Sequence, residues 1–247
     1  MMEEMIRVEG VRKAFSQQQG RLPIIEIDQW SARKGDAIAL LGPSGSGKST
    51  FLHLLGGVLP VDGGLLEIAG QQVSGMKESE RDAFRAQTVG YVFQDFYLIP
   101  SLTVKENVEL VMPRSMSKPL RARLIGEWFE RVGLQDRMNQ LPAKLSRGQQ
   151  QRAAIVRAMI HCPPLVLADE PTGSLDWETA SSIMKLLLDV SRENGSTLVT
   201  VTHDLHLAEL FPTKLQFASL NQLLKGRAES SSDKRAMQET AAGGVSS

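Results

Sequence analysis

Ala37-Ile-Ala-Leu-Leu41 followed by Gly42-Pro43-Ser44-Gly45-Ser46-Gly47-Lys48-Ser49-Thr50 is the stretch that decides the fold. Five unbroken apolar residues read as a strand buried on both faces. Beyond the glycines, Ser49 to Leu55 carries a compact helical pattern that Gly56-Gly57 ends. Strand, G-x-x-x-x-G-K-S and helix, in that order, make a phosphate cradle. The glycines let backbone N–H groups close round phosphate oxygens, and the helix N-terminus adds positive potential there. Lys48 can reach the β and γ phosphates, Ser49 offers a hydroxyl to Mg²⁺, and Gly42 through Thr50 form the binding loop.

Outward from this loop, apolar strands alternate with helices. MIRVEGV and IIEIDQW read as short strands before it, making a half-buried antiparallel region, and LLEIAG (Leu65 to Gly70) as another after it. Between about Ser74 and Ser146 the pattern becomes mainly helical. In PLRARLIGEWFERVGL the residues Leu120, Leu124, Ile125, Trp128, Phe129 and Val132 share one helix face, with Trp128 and Phe129 expected in a core. Strands return at Leu165 to Ala168 and Thr197 to Thr202, with a helix over Thr179 to Arg192 between them. This order predicts an α/β fold: a P-loop core with a parallel sheet, an N-terminal antiparallel β region and a helical lobe inserted at about 95–160. The polar, aperiodic stretch 226–247 reads as a disordered tail beyond a folded unit of 1–225.

Composition sets limits on function. Among 247 residues, 28 Lys plus Arg balance 28 Asp plus Glu, so a basic nucleic-acid footprint is not expected. No apolar run approaches the roughly 20 residues that span a bilayer. The acidic start MMEEMIRVEG lacks the basic and apolar regions of a signal peptide, and the single Cys162 supplies no disulfide framework. These features predict a cytoplasmic chain.

A second set of chemical groups follows the strand Leu165 to Ala168. Asp169 and Glu170 stand at its carboxyl end, where open α/β sheets bind ligands. The first carboxylate suits Mg²⁺, directly or through water, and the second suits a base that deprotonates an attacking water. Ser146, with Gln149 three residues on, has capping-box spacing ahead of a helix, and with Gly148 it would make a second phosphate-binding surface. One nucleotide cannot easily use both surfaces, so the second could serve a nucleotide held by another subunit.

GPSGSGKST, YVFQD, LSRGQQQR, LVLADEPTGSLD and TVTHD, in this order, resemble the nucleotide-binding subunit of an ATP-binding cassette (ABC) transporter. The resemblance covers about Met5 to Leu210. TVKENVEL and LLGG look most like the branch of lipoprotein-releasing and macrolide-export ATPases. The family implies an ATPase using ATP and Mg²⁺. Gln94 would touch Mg²⁺ or the lytic water, Glu170 would activate that water, and His203 would contact the γ-phosphate. Phe15 would stack on adenine, and Asp176 would belong to a loop linking two active sites. Ser146 and Gly148, flanked by Arg147 and Gln149, would face ATP held by the opposite subunit, with Arg147 standing where glycine is usual.

The implied assembly is a homodimer, or a pair with a second ABC subunit, on integral membrane permease subunits at the cytoplasmic face of the inner or plasma membrane. A groove in the lobe between Gln94 and Ser146 would receive those subunits. A regulatory ABC ATPase that signals through a membrane partner without moving a solute is the alternative. Nucleic-acid ABC ATPases usually carry coiled-coil or zinc-binding insertions that this sequence lacks. The family pattern weakens after His203, where PTKLQFASLNQLLKG replaces the usual strand and basic turn.

Overall fold

The computed structural model describes residues 3–18 and 20–225, so the tail expected at 226–247 lies outside the described residues. The chain opens with β1 (Glu4–Gln17) and β2 (Gly20–Arg33), two 14-residue strands of one antiparallel hairpin. Both are longer than the short strands expected, because their distal halves are polar and exposed and so carry no apolar alternation. Then follow β3 (Ala37–Leu41), α1 (Lys48–Leu55), β4 (Gly63–Ile68), β5 (Gln71–Gln72), α2 (Glu78–Thr88) and β6 (Val89–Val92). Helices α3 (Val104–Glu109), α4 (Lys118–Arg131) and α5 (Arg147–Met159) come before β7 (Leu165–Asp169). The chain then runs through α6 (Trp177–Glu193), β8 (Thr197–Val201), α7 (Leu205–Ala208), β9 (Thr213–Gln216) and α8 (Phe217–Leu220).

Two sheets result. One is antiparallel in the order β2-β1-β4-β5; the other is parallel in the order β6-β7-β8-β3-β9. Strands β3 and β7 are apolar on both sides because both faces are covered. Ile38 and Leu40 face a core shared with β1, β2, β4 and α1, whereas Ala39 and Leu41 face a second core built with α3 to α7. Leu165 and Leu167 repeat the first choice, Val166 and Ala168 the second. Trp128 and Phe129 are buried in that second core, as their helical spacing requires. The segment after His203 still supplies a strand, since β9 pairs in parallel with β3.

Register fixes what the sheet presents at its carboxyl edge. Val92 pairs with Ala168, Asp169 with Val201, and Val201 with Leu40. Gln94, Glu170, His203 and Gly42 therefore emerge side by side from β6, β7, β8 and β3.

Candidate functional site

The phosphate loop is shaped by its glycines. Gly47 caps α1 with φ of 99°, a backbone that glycine adopts without a Cβ penalty. A Cβ here would also stand 3.1 Å from Ile24 Cγ2 and 3.2 Å from Ile25 Cδ1, so the loop lies directly on β2. Lys48 is nearly buried, and its Nζ donates to the carbonyls of Gly42 at 2.7 Å and Pro43 at 2.8 Å. Burial lowers the Lys48 ammonium pKa, against the opposing pull of Glu170 and Asp169. Those two charges act on Lys48 because all three groups face the same space.

Ser49 Oγ donates to Asp169 Oδ1 at 3.0 Å, joining the start of α1 to the end of β7. Glu170 is held with φ of 46°, a left-handed backbone that a non-glycine residue adopts only under constraint. Its N–H donates to Val201 O at 3.0 Å, and its Oε2 lies 2.8 Å from His203 Nδ1. Tyr91 sits below this edge. Burial, and then the charge of Asp169, push its phenol well above the usual range.

Lys48, Ser49, Glu170 and His203 line a cavity of about 550 Å³ with Phe15, Ser44, Gly45, Gly47, Thr50 and Gln94. Phe15 stands at its mouth, partly exposed, and the Gln94 amide packs against Gly173. Ile24 and Val201 also line it. Neither carries a chemical motif, and only the apolar alternation of IIEI hinted at Ile24. Asn221 was equally silent in sequence. Its Oδ1 accepts from Glu26 N and its Nδ2 donates to Ile24 O, fixing the strand beneath the loop.

Ser146, Arg147, Gly148, Gln149 and Asp176 do not line this cavity; they form a separate cluster. Ser146 Oγ accepts from Gln149 N at 3.3 Å and Gln149 Oε1 accepts from Ser146 N at 3.0 Å, completing the capping box of α5. Asp176 caps α6 by accepting from Thr179 N, and that bond holds its carboxyl below the ordinary range. The two helix starts are in contact: a Cβ on Gly148 would fall 2.7 Å from Thr179 Cγ2. Cys162 is a free thiol, and His206 packs edge-on against Trp177.

The family described as ABC transporter matches residues 26–173, more than half of the chain. The chain belongs to the ABC transporter family. It is 42% identical over 207 residues to the Escherichia coli (strain K12) uncharacterized ABC transporter ATP-binding protein YbbA, covering 83% of this chain and 91% of that one. The lipoprotein-releasing system ATP-binding protein LolD of Idiomarina loihiensis is 38% identical over 210 residues, with 85% and 92% covered. Among solved structures, the dimeric post-hydrolysis state of the ATP-binding cassette MJ0796 bound to ADP and Pi matches with a TM-score of 0.78 at 35% identity, covering 86% of this chain and 94% of that one. As an ABC ATP-binding protein the chain binds and hydrolyses ATP. No helix among the described residues is long and apolar enough to cross a membrane.

Proposed function

We propose that the chain is the energising ATPase subunit of a membrane transporter and works as a head-to-tail pair. Each ATP is held by one subunit's Gly42–Thr50 loop and faced by Ser146, Gly148 and Gln149 of the other. The observation that carries the reading is the Glu170–His203 contact at 2.8 Å, in the cavity that Lys48 and Ser49 also line.

Phe15 stacks on adenine, and the loop N–H groups with Lys48 hold the phosphates. Ser49 and Asp169, one hydroxyl and one carboxylate in contact, fit Mg²⁺, a hard cation that takes few protein oxygens and keeps waters and phosphate oxygens; Gln94 adds an amide from the same cavity. When bound, Mg²⁺ supplies positive charge to the β and γ phosphates. Glu170 accepts a proton from the attacking water. His203, tied to Glu170 through Nδ1, orients that carboxylate and leaves Nε2 for the γ-phosphate. Lys48 offsets charge that develops on the transferring group. Asp176, at the start of α6, lies where the two subunits meet. Likeness to a dimeric cassette supports the pairing, and likeness to LolD, part of a lipoprotein-releasing system, supports a membrane partner.

Glu170→Gln tests the assignment. ATP binding is expected to persist, turnover to fall by roughly 100-fold or more, and the pair to stay closed on ATP in sedimentation. Wild-type turnover in this variant would show that Glu170 is not the base. Co-purification of an integral membrane protein, and ATP-driven transport by the reconstituted complex, test the partner.

A further inference from the structure

Two arginines of α5 grip the segment that follows Gln94. Arg157 donates to the carbonyls of Phe96, at 2.9 Å, and of Tyr97. Arg147, at the start of the same helix, places its guanidinium 5.3 Å from the centre of the Phe96 ring and donates Nε–H to Ser174 Oγ at 3.2 Å. Ser174 belongs to the turn between β7 and α6. There Gly173 N donates to Glu170 O at 3.1 Å and Leu175 N to Thr172 O at 3.1 Å, so the turn from Glu170 to Asp176 is stiffened by its own backbone. Gln94 touches that turn at Gly173, where an added Cβ would lie 3.2 Å from its Nε2. The turn thus meets Gln94 on one side and Arg147 on the other.

An arginine in the first turn of a helix is opposed by the helix dipole, so Arg147 is not explained by the stability of α5. Its partners among the described residues are a hydroxyl and an aromatic ring. We propose that Arg147 is a positioning residue for hydrolysis: through Ser174 and Phe96 it fastens the Glu170 turn and the Gln94 segment to α5. The proposal deepens the reading of Glu170 as the base and rests on it. Arg147 acts on the carboxylate's setting, while nucleotide affinity stays with the Lys48 loop.

Steady-state ATP hydrolysis by the full chain tests this. Ser174→Ala, which loses the hydrogen bond alone, is expected to lower kcat by about twofold to tenfold, and Arg147→Ala, which also loses the exposed cation–π contact, by about fivefold to fiftyfold. KM for ATP should stay within about twofold, because the phosphate loop is untouched. The double variant should be no slower than Arg147→Ala alone, and Ser174→Thr, which keeps the hydroxyl, should retain the rate. Wild-type kcat in both alanine variants, or additive losses, overturns the proposal. So does a raised KM with kcat held, which would put Arg147 on the nucleotide itself. Glu170→Gln in parallel separates the two claims: full turnover there removes the base, whereas lost turnover there with wild-type kcat in Arg147→Ala and Ser174→Ala removes only the positioning role.

Discussion

Gly90→Ala should separate the packing of α5 on the sheet from every other influence on stability. Gly90 lies in β6 with ordinary strand backbone, so the substitution brings no left-handed strain. The added Cβ would instead stand 2.3 Å from Ala158 O and 2.8 Å from Pro163 Cγ. Both neighbours are fixed, one a helix carbonyl and the other a proline ring, so α5 must move outward by roughly an ångström to restore contact distance. Overpacking of this kind costs about 2–4 kcal/mol, which in a chain of this size lowers Tm by about 6–12 °C. The helix transmits the movement some 18 Å to Ser146 and Arg147 at its other end, so turnover should fall as well. Gly126→Ala is the matched control. Gly126 is inside α4 with nothing within 4 Å of an added Cβ, and alanine there should stabilise by about 0.5–1 kcal/mol through helix propensity alone. Thermal unfolding of the two variants beside wild type is the assay. A Gly90→Ala protein melting within about 1 °C of wild type would refute the close approach of β6 and α5.

Asn221→Ala removes the amide that meets Glu26 N and Ile24 O, leaving both backbone groups unpaired at a buried position. It should cost about 2–4 kcal/mol in urea unfolding and raise KM for ATP, because Ile24 supports Gly47; unchanged KM in the destabilised protein would sever that link. His161 should make stability sensitive to mild acid. Burial holds its imidazole below the ordinary 6.5, so its contribution is fully present above that value and is lost as pH falls through the lower folded one, the unfolded chain taking up the proton first. Urea unfolding at about pH 7 and about pH 5 should show His161→Gln losing less stability than wild type on acidification, and an equal loss in both would refute the assignment.

The parallel strands were legible because burial on two faces leaves no alternative to unbroken apolar runs such as Ala37–Leu41 and Leu165–Ala168. The hairpin was under-read. Phe15 to Gln17 and Gly20 to Leu22 set mostly polar residues on an exposed ribbon, where pairing between backbones sustains the strands without any apolar period. β6 lies inside a mainly helical stretch, with Gly90 placed for the close approach of α5. β9 carries an exposed TKLQ that reads as a loop, yet edge pairing with β3 orders it. Among the residues of the site, those that form motifs are legible in the sequence. Ile24, Val201 and Asn221 are not, because they act through position, and position is a product of tertiary structure.

Sheet order explains why motifs so distant in sequence can serve one reaction. Along the chain the chemical groups run Lys48, Gln94, Glu170, His203. Across the sheet the strands run β6, β7, β8, β3, so the edge presents Gln94, Glu170, His203 and then the phosphate loop. His203 therefore stands between the Glu170 carboxylate and the phosphate loop, and its Nδ1 is bonded to Glu170 Oε2. Asp169 is separated from β3 by the whole of β8, about 10 Å away at normal strand spacing. Ser49 closes that gap only because α1 leaves the loop over the sheet edge toward β7, as its hydroxyl bond to Asp169 records. A swap of β3 and β8 would keep every motif in the sequence and still take the histidine from between Glu170 and the loop. The chemistry is thus set by strand order as much as by the residues.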